Sequence, residues 1–600
     1  MCGIGGWIGE TPTLADPQIL LQALRHRGPD GEGYLLDEPH HAGLIHTRLA
    51  VIDITDTGSQ PMTYDWGTPQ VGRYSLIYNG EIYNYEELRE GIDPFALNGS
   101  SDTEILLHLL TRDGVKVLPR LAGMFAFAFF DHSSGAALLA RDPFGIKPLY
   151  YSTESGSLKF ASEVKALRTI IGSATLSPAS VRDTLMWGSV PEPATLWNGI
   201  HELPAGCYLE WKAGSATVKR WHQLAFGNGE APSNPVAHTR DALLESVGRH
   251  LVSDVPVGFF LSGGVDSTAV LALARTVLGP NVDIRTFSIG FDDPALDESR
   301  TARRTAKHFG STHTEWMMTE EEGIAEVASY LAAIDQPTVD GFNTWCVSKL
   351  AKREGVKVVL SGLGGDEMFG GYGSFNRVPR FLDLFRRLGV FRPAAAAALG
   401  RSPAGSRWRR LGQFLLGPGT ALSAFHAQRG IFTEPEAREL AQSITGTDPG
   451  PADWRAFDGT SEPLDQVSML ELTRYMRNQL LRDSDVFSMA SGLELRVPFV
   501  DARLFESISI IPALSRLRSG KALLVDAVPE IPEWVRGQPK RGFRFPFEDW
   551  TRDGFGKLLD VADEVSPVPL REWYRRWALA VVLLEANPKD SAVDVALSRA

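Results

Sequence analysis

Cys2 follows the initiator methionine in Met1-Cys2-Gly3-Ile4-Gly5-Gly6. Its small side chain permits removal of Met1, which leaves a thiol beside a free α-amino group. That amine has an ordinary pKa of about 8, close enough to working pH to take the thiol proton. An attacked carbonyl then needs donors for its oxyanion. Asn79 offers an amide and Gly80 a backbone N–H that a ligand can approach closely. Arg48 can clamp a carboxylate with two hydrogen bonds, while Glu81 and Asp102 can hold an ammonium. A carboxylate, an ammonium and a carbonyl above a thiol describe an amino acid with a side-chain amide, which is glutamine.

A second chemistry lies in mid-chain. Ser262-Gly263-Gly264-Val265-Asp266-Ser267 sits between the apolar run Val257–Leu261 and a helical pattern over Ser267–Thr276. Its glycines let N–H groups reach phosphate oxygens, and the helix start adds a favourable dipole. The Gly-Lys-Ser/Thr of a Walker A loop is missing, so the loop suits ATP cleaved between its α- and β-phosphates. Ser361-Gly362-Leu363-Gly364-Gly365-Asp366-Glu367 follows another β-rich run, Lys357–Leu360. Asp266 and Asp366 suit a Mg²⁺ shared through the pyrophosphate. Lys521, in Ser519-Gly520-Lys521, is placed to neutralise the departing phosphates.

These residues need scaffolds of two kinds. Short β-rich runs bounded by Gly, Asp, Asn or Pro fill the first third: Ala42–Val51, Tyr74–Tyr78, Met124–Phe130, Ala136–Ala140 and Leu149–Ser152. Helical patterns at Pro17–Leu24 and Asp102–Leu110 interrupt them. The expectation is two strand layers with helices outside over 1–212, then a polar linker over 213–236. From 237 onward, strand and helix patterns alternate, as in a parallel α/β sheet that binds ligands at the carboxyl ends of its strands. A mostly helical insertion is expected at about 377–470, with an Ala/Arg-rich stretch at Arg392–Arg410. That stretch reads first as a solvated helical surface and second as a docking face for an acceptor.

Composition sets the outer limits. The chain has 600 residues, enough for two to four units of ordinary size. Its net charge of -13 argues against general nucleic-acid binding. The three cysteines, Cys2, Cys207 and Cys346, lack metal-ligand or disulfide spacing, which points to a reduced, cytoplasmic setting. Apolar runs at Met124–Phe130 and Trp577–Leu584 are too short to span a bilayer, so no membrane partner is expected.

The motifs carry a resemblance that sharpens both readings. Met1-Cys2-Gly3-Ile4, Arg25-His26-Arg27-Gly28-Pro29-Asp30, His46-Thr47-Arg48-Leu49, Tyr78-Asn79-Gly80-Glu81-Ile82-Tyr83-Asn84 and Ser101-Asp102-Thr103-Glu104 resemble the class II glutamine amidotransferase domain. So do Gly123-Met124-Phe125-Ala126-Phe127 and Arg141-Asp142-Pro143-Phe144-Gly145. The resemblance implies an N-terminal-nucleophile α/β/β/α fold that hydrolyses glutamine. Cys2 is then the nucleophile, Asn79 and Gly80 the oxyanion hole, and Arg48, Glu81 and Asp102 the glutamine holders.

The later motifs, with Leu251-Val252-Ser253-Asp254-Val255-Pro256, Ser488-Met489-Ala490, Leu493-Glu494-Leu495-Arg496-Val497-Pro498 and Lys540-Arg541-Gly542-Phe543, resemble asparagine synthetase. That resemblance spans nearly the whole chain. It implies adenylation of a carboxylic-acid acceptor by ATP, loss of pyrophosphate, and attack by ammonia delivered through an internal channel. Leu261, Ser262, Gly263, Gly264, Asp266, Ser267, Ile289, Ser361, Gly362, Asp366 and Lys521 would then surround ATP, and relatives imply a homodimer.

One residue departs from the pattern. Members that amidate aspartate place a glutamate where this chain has Leu363. Leucine can serve neither as acid nor as base, so two readings stand: aspartate as acceptor with leucine tolerated, or another carboxylic acid from a natural-product or polysaccharide pathway. Transfer of an amine other than ammonia also stays open. A ring-forming synthetase using the substrate's own amine is disfavoured by the complete Cys2 set, and a non-catalytic scaffold by the intact motifs in both halves.

Overall fold

The computed structural model describes residues 2–9, 17–64, 72–93, 97–227, 229–291, 297–403, 405–455, 462–538, 550 and 556–586. The Lys540-Arg541-Gly542-Phe543 motif lies outside them. Strand Cys2–Ile8 is buried along its whole length, between antiparallel neighbours Leu158–Ala161 and Ala42–Arg48. Its glycines make that possible: a Cβ on Gly6 would sit 2.3 Å from the carbonyl oxygen of Gly43. Gly31–Asp37 borders Ala42–Arg48, and Tyr150–Ser152 and His201–Glu202 complete this six-stranded sheet.

A second antiparallel sheet runs Ser215–Arg220, Cys207–Lys212, Ala136–Arg141, Gly123–Asp131, Tyr74–Ile82, Met62–Tyr64. Ile4, Leu44 and Phe160 of the first sheet meet Ile77, Ala126 and Leu139 of the second in one core. Helix Asp102–Asp113, capped by Ser101, lays Leu106 and Leu109 on the outer face of the second sheet. Helices Pro17–Leu24, Val164–Ile171 and Pro178–Trp187 cover the first. These layers form the α/β/β/α arrangement.

The segment 213–236, expected as a linker, begins inside this fold. Ser215–Arg220 pairs antiparallel with Cys207–Lys212 as the sheet's edge. An edge strand exposed along most of its length has no buried face to mark it, so its composition resembles a linker.

The second half holds five parallel strands in the order Thr312–Met318, Arg285–Phe291, Val257–Phe260, Val358–Leu360, Glu494–Arg496. Both glycine loops leave the carboxyl ends of adjacent central strands. Beyond them, helices Ser374–Leu388, Arg392–Gly400, Arg407–Leu416 and Ala421–Arg429 build a core of their own from Phe375, Val378, Phe414 and Phe425. The Ala/Arg-rich stretch spans the helix Arg392–Gly400 and the start of Arg407–Leu416. Pro463–Leu470 then leads into an 11-residue π-helix, Glu471–Leu481, which continues as the α-helix Arg482–Ala490.

That continuous rod carries much of the contact between the halves. Arg27, fully buried, donates to Glu163 Oε1 (2.9 Å), to Asp485 Oδ2 (2.6 Å) and to the carbonyl of Cys2 (3.2 Å). Lys147 Nζ reaches the other oxygen of Asp485 at 3.1 Å. Arg482 bonds Glu202 at 2.8 Å and the carbonyl of Val190 at 2.7 Å. Glu163 is buried, which alone would raise its pKa, but His26 and Arg27 pull it from 4.5 down to about 2.

Removing Arg27 leaves two buried carboxylates short of a partner, so Arg27→Met is expected to cost about 3–5 kcal/mol. A folded-state pKa below the unfolded value stabilises fully above about pH 5 and is lost as pH falls towards 2. The gap in unfolding midpoint between wild type and Arg27→Met should therefore narrow over that range. A gap that stays constant with pH would remove the charge from the explanation.

Candidate functional site

Cys2, Arg48, Gly80, Glu81 and Asp102 line one small cleft with Gln60, Tyr78, Ser101 and Thr103. The strand register explains the convergence. Cys2 opens its strand opposite Arg48, the last residue of the neighbouring strand, while Gly80 and Glu81 stand near the end of Tyr74–Ile82. Asn79 joins them directly: the Cys2 N–H donates to Asn79 Oδ1 at 3.0 Å. That bond fixes the amide, and its buried Nδ2 has no hydrogen-bond partner among the described residues. Gly80 must be glycine, since a Cβ would lie 2.2 Å from the carbonyl oxygen of Met124.

Arg48 is held by carbonyl oxygens of the following loop, Thr55 at 2.7 Å and Asp53. Asp102 stands in the first turn of its helix and accepts from Tyr78 Oη (2.8 Å) and from the Ile82 N–H (3.0 Å). Tyr78 belongs to a recognised motif, yet nothing in the sequence pairs its phenol with Asp102. Burial pushes the Cys2 thiol up, against the nearby Arg48 charge and a hydrogen bond from the Leu49 backbone. Burial, with Glu494 and Asp102 close by, holds the Glu81 carboxyl well above the usual carboxylate range.

Glu81 also touches the second half of the chain. Arg496, on the edge strand of the parallel sheet, lies 3.7 Å from Glu81 Oε1 and 2.6 Å from Glu494 Oε1. It donates as well to the carbonyls of His250 and Val252, at 2.8 and 2.6 Å. The carbonyl of Arg496 accepts from the Ser361 N–H at 2.9 Å, at the start of the second glycine loop. One residue thus borders both candidate sites.

At the second site the two loops interlock. A Cβ on Gly362 would lie 2.7 Å from the Ser267 nitrogen, and one on Gly365 2.5 Å from Asp266 Oδ1. Gly263, at φ +79°, has the left-handed conformation that favours glycine. Ser267 Oγ accepts from the Ser262 N–H at 3.3 Å, and the Leu261 N–H reaches Phe287 O at 2.9 Å.

Lys521 ties the loops together. Its Nζ sits 2.5 Å from Asp266 Oδ2 and bridges to Asp366 Oδ1. Burial works against its charge, but the two carboxylates win and raise its pKa. Two carboxylates from separate loops, converging on one cation, form a donor set that fits Mg²⁺ completed by phosphate oxygens and water.

Ile289 lies buried on the strand Arg285–Phe291, and Leu363 is partly buried against the main core of this half. Past Leu363 comes a polar cluster that motif reading missed. Tyr372 Oη donates to Glu367 at 2.9 Å, and Arg429 pairs with Glu471 at 2.7 Å while lying 4.4 and 3.8 Å from the ring centres of Tyr372 and Tyr475. Burial and the charges of Asp366 and Glu471 push Glu367 up to about 8.

Residues 238–591 match the family described as asparagine synthase, and residues 1–222 the glutamine amidotransferase domain. Asparagine synthetase (glutamine-hydrolyzing) 1 of Bacillus subtilis (strain 168) is 33% identical over 575 residues, covering 92% of this chain and 88% of the relative. Asparagine synthetase B (glutamine-hydrolyzing) of Escherichia coli (strain K12) is 34% identical over 61% of this chain and 63% of its own. A differently named relative, amidase chry2 of Gibberella zeae, is 27% identical over 92% of this chain and 90% of its own. The solved B. subtilis glutamine phosphoribosylpyrophosphate amidotransferase covers 60% of this chain and 75% of its own at 16% identity, with a TM-score of 0.29, too slight a likeness to bear on function. With both halves matched and the likeness running nearly end to end, the chain belongs to the asparagine synthase family and carries a glutamine amidotransferase domain in its first part.

Proposed function

We propose that this protein is a glutamine-dependent amide ligase that consumes ATP. The observation that carries the reading is the Cys2–Asn79 contact, which holds an amide donor in place beside a thiol at the chain's start.

With Met1 removed, the α-amine of Cys2 takes the thiol proton and the sulfur attacks the side-chain carbonyl of glutamine. Asn79 Nδ2 and the Gly80 N–H receive the oxyanion. Ammonia leaves with the proton, and water releases glutamate from the thioester. Arg48 holds the substrate carboxylate, while Glu81 and Asp102 hold its ammonium. Arrival of that ammonium adds positive charge beside buried Glu81, whose cationic neighbour Arg496 is shared with Glu494.

At the second site the acceptor carboxylate attacks the α-phosphorus of ATP and pyrophosphate leaves. Asp266 and Asp366 would hold Mg²⁺, which when bound neutralises charge on the phosphates. Lys521 then turns from the two carboxylates to the departing pyrophosphate. Backbone N–H groups of Gly263 and Gly264 and the start of helix Val265–Leu278 cradle it. Ammonia attacks the acyl carbon, AMP departs, and one proton is lost. The apolar side chains of Leu49, Val51 and Met124 pack in one cluster with Leu261, Leu360, Met476 and Val497 from the other half. A passage opened through that apolar cluster would carry neutral ammonia in preference to ammonium.

The acceptor remains a choice of two. Leu363 puts an apolar side chain where the aspartate-specific pattern has a carboxylate, which favours an acid less polar than free aspartate. Pyrophosphate release with ATP, Mg²⁺ and glutamine, with and without aspartate, decides between them when the product is followed by mass spectrometry. Aspartate-dependent release with asparagine formed would overturn the second acceptor and leave the ligase reading intact.

Cys2→Ala is expected to abolish glutamine-dependent amide formation and retain activity with ammonium salts. Equal loss of both would sink the division of labour. Lys521→Met should lower pyrophosphate release by about 100-fold or more while basal glutamine hydrolysis persists. Unchanged pyrophosphate release would take Lys521 out of the mechanism.

A further inference from the structure

We propose that the tip of the helical module, around Val390 and Phe391, is a docking surface for an anionic phospholipid bilayer. The charge pattern is the first reason. Between 377 and 410 the chain carries arginine at 377, 380, 386, 387, 392, 401, 407, 409 and 410, with no lysine or glutamate and Asp383 the single acid, although the whole protein has a net charge of -13. Such a reversal is local and strongly cationic.

The second reason is what stands among those charges. Helix Ser374–Leu388 ends in a short turn, Gly389–Phe391, before Arg392–Gly400 begins. On that turn Val390 is 87% and Phe391 70% exposed, and Leu416 at the end of a neighbouring helix is 60% exposed. Ring contacts place these ends together. Arg392 lies 4.0 Å from the ring centre of Phe385, and that ring lies 5.4 Å from Phe414, two residues before Leu416. A cavity of about 310 Å³, walled by Leu382, Leu422 and Leu470, opens beside Arg386 in the same module.

Bulky apolar side chains standing in water next to exposed arginines, Arg386 and Arg387 among them, are the composition of segments that lie in the headgroup region, apolar groups towards the acyl chains and cations on the phosphates; the pair that Arg386 makes with Asp383 is itself open to water. Of Val390, Phe391 and Leu416, only the ring of Phe391 offers a nucleic acid a stacking face, whereas all three can enter acyl chains. The sequence expectation of no membrane partner rested on the lack of a spanning segment. Among the described residues no helix is long and apolar enough to cross a membrane, and surface attachment requires none.

The test is co-sedimentation of the full chain with vesicles of phosphatidylcholine alone or mixed with phosphatidylglycerol. Binding is expected to the anionic vesicles only, to fall with salt, and to weaken by about tenfold or more in Val390→Ser/Phe391→Ser and in Arg386→Gln/Arg387→Gln/Arg392→Gln. Glutamine hydrolysis and the melting temperature of both variants should match wild type, which separates this result from misfolding and from failure of the ligase reading. Absence of vesicle binding, or equal binding to neutral vesicles, overturns the proposal. So does a wild-type dimer that the Val390/Phe391 variant dissolves, because a second copy would then cover the tip.

Discussion

A guanidinium with no access to water holds the two halves of this protein together. Arg27 cannot lose its proton, so every direction in which it donates must meet an acceptor. One acceptor belongs to the first half, Glu163, and one to the second, Asp485, while the third is the carbonyl of Cys2 itself. The position of the Cys2 backbone therefore depends on the halves being docked. Lys147, sharing Asp485, extends the same constraint to the loop after Arg141. Since a buried charge tolerates few alternative partners, this contact selects a single docking geometry more than it adds affinity.

Both candidate sites follow one electrostatic logic. Each sets carboxylates from separate segments of the chain close together. Around Cys2 these are Glu81, Asp102 and Glu494, and burial with mutual repulsion lifts the first two above their usual range. At the glycine loops they are Asp266 and Asp366, restrained by Lys521. A site of that kind gains most from positive charge in a fixed place, which under the proposed function is the ammonium of glutamine in one case and the metal ion that accompanies the nucleotide in the other. Arg496 lies between them, its side chain towards Glu81 and its carbonyl on Ser361, so that neither pocket is electrostatically private.

How much of this was legible in the sequence depended on the range of the physics involved. The glycine loops and the residues around Asn79 could be read because close approach to a ligand or a neighbouring strand restricts residue type locally. Helix Pro17–Leu24 was legible from its apolar spacing. Strand Cys2–Ile8 was not: buried on both faces and rich in glycine, it shows no alternation, and the close neighbours that demand those glycines are remote in sequence. The edge strand Ser215–Arg220 failed for the opposite reason, having almost no buried face at all. Charges gave least. Arg27 and Asp485 each look like ordinary surface residues until 458 positions of chain bring them together. The cluster of Arg429, Glu471 and Tyr475 was hidden in the same way.

The π-helix Glu471–Leu481 gives the rod a property unlike that of its neighbours. At its first residue Glu471 meets Arg429 and Ser374, and four residues past its last, Asp485 meets Arg27. A π-wound turn holds more residues than an α-turn of the same rise, and one residue of α-helix corresponds to about 100° of rotation. Deleting a single residue here would let the segment relax to ordinary winding and swing Asp485 to another face of the rod. Substitutions in this stretch change contacts one at a time, but a change in its length would break the phase between two distant ends at once. For the rod, residue count is itself a functional coordinate.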